Sequence, residues 1–548
     1  MKGHLVAAAL VTWLVAQPPA ATHYVTATGV SSGTCTQAAP CNAWWLTQLT
    51  AAQLPPGSIV DIADGYYSNG LALEFARNGT ASQPITVRVG PTAWFTGGRV
   101  KPAVWTKTAG YAYIYETVWD EAPGGSPGGF AVGTVIQREP TTWVPILVDD
   151  RRPPFTTSAG RPFSLELPPP LKQVWTLADV EAQSGTWLAS HAANRIYVHM
   201  YHDGPPAEGD DLHVGYAHGG AWHITGDYWV IEGLKIAKTS GTGLWVKPSA
   251  NGTVIRNLTM QASQVWLEGT NTLAEDVDIS HVIKQAPPSE DECVGYDANP
   301  AFGVGECWHA AASGNALLIG KEGATHSFGQ VVRRAKVHRS WNGAYLNGAN
   351  TLEDSSLWGF PNHTLQIKGV GGVLRGNVLS NGQDSLYMEG SPFGNLVIEH
   401  NIFVNAVLVW VNRDGVGGSV PGPWRFWHNV LPVLGYDDKT IQTASVDCNI
   451  YIPKDAGQNR VISITGTDAN QDQNIVYATL AAAKAAALEP NSRELPWTYW
   501  TAGKLFLNFV HQAVPTFDFS SPLTVCGRGA GPGQGQAMSM TNEEQRRK

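Results

Sequence analysis

The 548-residue sequence sets 36 Lys and Arg against 45 Asp and Glu, a formal net charge of −9, and has no basic tract; this excludes a cationic nucleic-acid surface. Charged residues are only 15%, while 59 Gly and 21 Trp mark an ordered, turn-rich chain rather than a disordered one. The length suits one large domain or several ordinary ones.

At the N-terminus, Lys2, the apolar run Leu5 to Ala16 and the small Ala20 and Ala21 read as a secretory signal over residues 1–21. The run is too short to span a membrane in the mature protein, and no later segment is long and apolar enough to do so. The expectation is a secreted monomer with no membrane partner. Six cysteines fit export, and Cys35–Cys41, Cys293–Cys307 and Cys448–Cys526 are the suggested pairs, with free thiols as the alternative. No CxxC or HExxH occurs, so zinc is not indicated.

Ala43 to Leu54 has helical apolar spacing and stops at Pro55-Pro56-Gly57, which predicts an N-terminal capping helix. "GSIVDIADGYYS" and "PITVRVG" follow as strands closed by turns, placing the cap and first coils in 22–100. Over 101–225 the rhythm changes to Pro, Trp and charged residues with strand-like pieces such as "NRIYVHMYH"; this predicts an inserted β-rich segment. From 226 to 528 short strands such as "WVIEGLKI", "TVIRNLTM", "TLAEDVDI" and "VLRGNVLS" recur at roughly 19–24 residues, the period of stacked solenoid coils. A turn column is predicted at Asn257, Asp276, Ser355, Asn377, Asn401 and Asn429, with Ala335 as an exception, in which stacked amides hydrogen-bond along the axis. Residues 283–314 interrupt the coils as a loop insertion, and 529–548 reads as a disordered tail.

The second alternation of each coil ends in register: "GLWVKP", "QVWLEG", "GAYLNG", "TLQIKG" and "SLYMEG". Because side chains alternate faces along a strand, Val246, Leu267, Leu346, Ile367 and Met388 point inward. Trp245, Trp266, Tyr345, Gln366 and Tyr387 then form one outward ladder, and Lys247, Glu268, Asn347, Lys368 and Glu389 a second. Flat rings beside charged groups suit a hydroxylated polymer, so these residues are the candidate polysaccharide-binding set. The structural alternative is a sheet stabilised by opposite charges on neighbouring strands.

On these repeats the chain resembles the pectin-lyase-like superfamily, and the start, "HYVTATGVSSGTC … LPPGSIVDIADGYYSNG", is similar to many secreted members. The resemblance implies an all-β fold, a single-stranded right-handed parallel β-helix. "NHTLQIKGVGGVLRGN" resembles a coil of the alginate lyase/chondroitinase-B-like family, with Lys368 at that family's lysine. The sequence departs from the pattern at His363, which stands where a calcium-ligating glutamate would fall, and at Met388 or Glu389, which replace an arginine. Ca²⁺ is therefore an open cofactor expectation. Glu290, Asp291, Glu292, Asp297 and Glu306 in the insertion supply hard oxygen ligands without a recognised loop spacing, and a solvated acidic loop is the alternative.

Two chemistries fit. Elimination from a uronate polymer needs a base at sugar C5 and a cation for the carboxylate; Lys368 is the candidate base and Arg375 or Arg334 the candidate cation. Glycoside hydrolysis needs a carboxyl pair, with Glu389 and one of Asp384, Glu268 or Asp414 as candidates. A non-catalytic carbohydrate-binding solenoid is the third reading, and a Lys368–Glu389 ladder pair remains an alternative to catalysis. His309, His338, His400 and His428 are expected to be satisfied turn or surface residues.

Overall fold

The computed structural model describes residues 21–118 and 172–404, apart from short internal segments and 283–314, and shorter stretches within 132–163 and 408–529. The sequence expectations for the signal peptide, the acidic insertion with Cys293–Cys307, His309, Glu389, Asp414 and the tail lie outside the described residues.

The chain winds into a right-handed parallel β-helix. Each coil contributes one strand to each of three parallel sheets, as in Thr242–Val246 (sheet I), Val254–Arg256 (sheet II) and Thr259–Gln261 (sheet III), the last two lying within one bent strand, Val254–Gln261. A crossover between parallel strands closes favourably only with the right hand. The inward alternation predicted from sequence holds: Val246, Leu267 and Leu346 are 0% exposed. At the N-terminal end the interior is aromatic. Trp222 stacks on Phe75 at 4.5 Å and meets Phe95 edge-on at 4.9 Å. Trp222→Ala is expected to cost about 4 kcal/mol, read as a lowered midpoint in denaturant unfolding, because neighbouring coils cannot collapse into a cavity of that size.

The predicted capping helix is shorter than expected. Only Ala43–Leu46 is helical, one turn capped by Asn42, whose side chain accepts from Trp45 N at 2.8 Å. Leu49 and Leu54 are buried through turns rather than through a continued helix. Cys35 and Cys41 are disulfide-bonded, as their spacing suggested. Cys448 is also disulfide-bonded, to a partner outside the described residues.

Trp222–Ile224, which sequence placed inside the insertion, is a coil strand, pairing with Leu73–Phe75 on one side and Leu244–Val246 on the other. Upstream of it, Lys172–Gln173, Thr186–Ser190, Arg195–His199, Tyr115–Val118 and Thr106–Lys107 form a separate five-stranded sheet. That sheet has its own apolar cluster of Ile114, Val174, Val180 and Tyr197. Both large interruptions, before Trp222 and before Asn315, leave the coil at the same corner, immediately ahead of a sheet I strand.

Between sheets II and III the chain turns through one residue of positive φ per coil: Gly233, Asn257, Asp276, Arg334, Asp354, Gly376, His400, His428 and Cys448, with φ from 50° to 79°. The next position is buried: Leu234, Leu258, Val277, Ala335, then Ser355, Asn377, Asn401, Asn429 and Asn449. This corrects the predicted turn column. Asn257 and Asp276 belong to the positive-φ column, one residue earlier, and the amide ladder begins only at Ser355. Asn377 Nδ2 donates to Asn401 Oδ1 at 3.0 Å, Asn401 to Asn429 at 3.1 Å, and Asn429 to Asn449 at 3.3 Å.

Sheet II carries a charge ladder that the sequence reading missed. In register across successive coils stand Asp61, Arg88, Glu232, Arg256, Glu275, Arg333, Glu353, Arg375 and Glu399, alternating in sign at every step. The buried Glu275 meets Arg256 at 3.1 Å and Arg334 at 3.2 Å, and also pairs with Arg333. Burial pulls its carboxyl upward, but hydrogen bonds from Arg256, Arg333 and Arg334 outweigh this and hold it below the ordinary carboxylate value. A depressed folded-state value gives stability that is present above the unfolded pKa and lost as pH falls through the folded one. Glu275→Gln is therefore expected to lower stability by about 2 kcal/mol at neutral pH, less than a fully enclosed pair because its arginines are partly solvated. The difference from wild type should vanish in strong acid; thermal unfolding against pH checks both points.

Candidate functional site

The outward face of sheet I is built by register. Glu74, His223, Trp245, Trp266, Leu318, Tyr345, Gln366 and Tyr387 stand in one column on eight consecutive described strands. At ~4.8 Å per strand these span about 34 Å. Two residues further along run Lys247, Glu268, Gly320, Asn347 and Lys368. The two predicted ladders are thus real neighbours, with one correction. The coil Asn315–Ile319 stands between the strands of Glu268 and Asn347, so Trp266 meets Leu318, not Tyr345. The sequence reading passed over "NALLIG" because the 283–314 insertion precedes it.

Two clusters occupy this face. In the first, Glu74 Oε1 accepts from Lys247 Nζ at 2.8 Å and lies 2.9 Å from His223 Nδ1. Burial raises the Glu74 carboxyl, but the hydrogen bonds and charges of Lys247 and His223 win and keep it ionised below its usual range. Lys247 Nζ also sits 5.1 Å from the centre of the Trp245 ring, and Trp245 Nε1 donates to Glu268 Oε2 at 3.0 Å. Trp245 and Trp266 meet edge-on at 5.4 Å. Glu74 and His223 were missed from sequence. Their signal was available: "LALEFA" and "AWHITG" repeat the alternation of "GLWVKP" upstream of where the stripe was traced.

In the second cluster, Lys368 Nζ lies 5.5 Å from the Tyr345 ring centre, and His363 stacks on Tyr387 at 4.2 Å. Gln366 lies between Tyr345 and Tyr387 in the column. The walls are enclosed: Tyr345 is 8% exposed, Tyr387 5%, Glu268 4% and Asn347 2%. Pro162–Phe163 from the segment upstream of the coils approaches the strand Val378–Met388 that carries Tyr387.

The two arginines proposed to neutralise a substrate carboxylate are not on this face. Arg375 is on sheet II, where its Nε donates to Glu399 Oε1 at 2.9 Å. Arg334 occupies the positive-φ column and clamps Asp276 through Nε at 2.8 Å and Nη2 at 2.9 Å. Both are parts of the scaffold, because the turn after Lys368 carries the chain onto another sheet before Arg375. Asp384 pairs in register with His363. His338 Nε2 lies 3.0 Å from Asp278 Oδ1 and its ring stacks on Trp358, and His400 stacks on His428 at 4.9 Å. Among the described residues no group of three His, Cys, Asp or Glu side chains is placed to hold a metal ion. No described helix is long and apolar enough to cross a membrane.

The coil plan, three parallel sheets with a one-residue turn between two of them, is that of a right-handed parallel β-helix. No family model matches the sequence, and no curated protein matches it. Among solved structures the chain is similar to XylC in complex with xylose, at 11% identity over 79% of this chain and 69% of that one, with a TM-score of 0.44. It is similar to the pectate lyase Pel9A at 11% identity over 78% and 79% (TM-score 0.40), and to a rhamnogalacturonan lyase at 11% identity over 85% and 98% (TM-score 0.42).

Proposed function

We propose that this chain is a secreted carbohydrate-active β-helix protein that takes a polysaccharide along the outward face of sheet I. The observation that carries this reading is the column of aromatic and titratable side chains, Glu74 to Tyr387, interrupted only at Leu318 and Gln366. A scaffold gains little from placing tryptophans and charges together on an outer face, whereas a flat hydroxylated polymer uses both.

The reaction we assign is β-elimination on a uronate-containing polymer. The C5 proton leaves to a base, a C4–C5 double bond forms, and the C4–O bond breaks with its electron pair on the leaving oxygen, which takes up a proton to become a hydroxyl. With Arg375 and Arg334 committed to the scaffold, Lys368 takes the role of the cation that meets the uronate carboxylate. Its ammonium lies over the Tyr345 ring, and a ring face attracts a cation. This replaces the role of base expected from sequence. A hydrolytic reading has one specific observation in its favour: Glu74 and Glu268 are two carboxyls on the same face in different surroundings, one held by Lys247 and His223, the other enclosed beside Trp245.

A panel of polysaccharides, followed by ultraviolet absorbance of unsaturated products and in parallel by reducing ends, tests the assignment. Elimination gives both signals. Reducing ends without the absorbance rise would replace elimination by hydrolysis, and binding without either product would leave a non-catalytic carbohydrate-binding solenoid.

A further inference from the structure

The separate five-stranded sheet upstream of the coils carries an exposed aromatic ring on a rigid mount. Tyr113 lies in the turn that joins Thr106–Lys107 to Tyr115–Val118, and it is 43% exposed. One face of its ring lies against His199, with 5.0 Å between ring centres and planes 5° from parallel. His199 is only 3% exposed, so the stack has a buried side and an open side. The exposure of Tyr113 belongs to its edge and to the face turned away from His199. In the same turn Gly110 stands in open space, with nothing within 4 Å of where a Cβ would sit.

One short helix, Leu177–Ala182, fixes both rings from behind. Glu181 accepts from Ala112 N at 2.7 Å through Oε1 and from Tyr113 N at 3.1 Å through Oε2, which clamps the backbone of the turn. The preceding residue, Val180, is buried, and its carbonyl oxygen lies 2.8 Å from His199 Nδ1. His199 Nε2 lies 2.9 Å from Asp203 Oδ1. The helix itself starts in a capping box between Thr176 and Asp179, and Ile114, beside Tyr113, is anchored in the apolar cluster with Val174, Val180 and Tyr197. Single exposed aromatic residues are ordinary on a protein surface. Tyr113 differs because its backbone and the ring behind it are each hydrogen-bonded in place. The freedom a side chain loses on binding a partner is largely lost here beforehand.

We propose that the open face of Tyr113 is a carbohydrate-stacking platform, a second binding site on a sheet other than sheet I. Its occupant is one neutral pyranose unit of a polysaccharide, with its C–H face on the phenol ring and a hydroxyl donating to Asp203. A pyranose has an apolar face and a polar rim, and a flat ring bordered by a polar acceptor matches both. The Asp203 side chain is 59% exposed beside the stacked pair. Its carboxylate accepts hydrogen bonds and repels an anion, so a uronate is disfavoured in this position. The inference rests on the proposed function for the source of the sugar. It adds to that reading a second point of attachment, which long chains reach and short oligosaccharides do not need.

The test uses the full chain. Methyl galactoside, methyl glucoside and methyl xyloside are the neutral probes, galacturonate and glucuronate the anionic ones, and binding is followed by saturation-transfer NMR. At least one neutral glycoside is expected to bind more tightly than either uronate. Tyr113→Ala is expected to weaken that binding about tenfold and Tyr113→Phe to keep it within about twofold, because stacking needs the ring and not its hydroxyl. On the polysaccharide that the wild type degrades, Tyr113→Ala should raise KM severalfold with kcat unchanged. On a short oligosaccharide of the same polymer it should change neither. No binding of any neutral probe, wild-type binding in Tyr113→Ala, or a loss in Tyr113→Phe as large as in Tyr113→Ala overturns the platform. Any of these with unsaturated product still formed leaves the proposed function standing. Neutral-sugar binding that is lost in Tyr113→Ala, in a chain that cleaves no polymer, keeps the platform and removes the reaction.

Discussion

Lys368→Ala is expected to lower kcat/KM on the cleaved uronate polymer by about 100- to 1,000-fold, the usual loss when a preorganised charge that meets developing negative charge is removed. The physical reason is the acidity of the C5 proton. An unscreened carboxylate beside it opposes the build-up of negative charge in elimination, and a cation in an enclosed site relieves this far more than one in water. Lys368 is half-buried, beside the buried Asn347 and over the buried Tyr345, so its charge acts at reduced dielectric. Lys368→Arg keeps the charge and should retain more turnover than Lys368→Ala, although the guanidinium cannot reproduce a compact ammonium. Because the side chain lies outside the coil interior, both variants should melt close to wild type. Wild-type turnover in Lys368→Ala would end the assignment of this lysine.

Asn401→Ala is expected to destabilise the C-terminal coils by about 4 kcal/mol, the sum of two buried backbone groups left without partners. Asn401 Oδ1 accepts from Asn377 N at 2.9 Å, and its Nδ2 donates to Leu374 O at 3.0 Å. Neither backbone group can turn to water, because Asn377 and Leu374 are both fully buried. Each coil of a solenoid contacts chiefly its neighbours, so the loss should appear as an early, partial transition rather than a uniform shift of the whole melt. The comparison is Asn271→Ala. Asn271 also makes an amide contact along the axis, to Asn251 Oδ1 at 3.0 Å, but in an exposed turn, and its loss should cost below about 1 kcal/mol. Equal effects at the two positions would show that burial is not what gives the ladder its strength.

Much of this architecture is legible in the residues. The alternation in "WVIEGLKI" or "GLWVKP" is local, since side chains on a strand must alternate, and it identified the coils, the inward positions and the outward column that includes Trp245, Tyr345 and Lys368. The Cys35–Cys41 pair was equally local. The errors share a different origin. Asn257 and Asp276 were aligned with Asn377 because all are turn residues of similar chemistry, whereas a one-residue offset puts them in the positive-φ column, where Asn and Asp are tolerated for another reason. The coil of Leu318 and Gly320 was hidden because an insertion broke the period just before it. Arg375, seven residues after Lys368, looked close along the chain.

The sequence by itself determined the solenoid, its interior and the residue types on its outer faces, because these depend on alternation within each strand. Only the tertiary structure decided which coil stacks on which and which face each turn delivers. Pairing between coils is fixed by burial and by the one-residue turns, not by spacing along the chain. That is why Arg375 belongs to a charge ladder with Glu399, why Glu74 and His223 join Lys247, and why a glycine stands between Glu268 and Asn347.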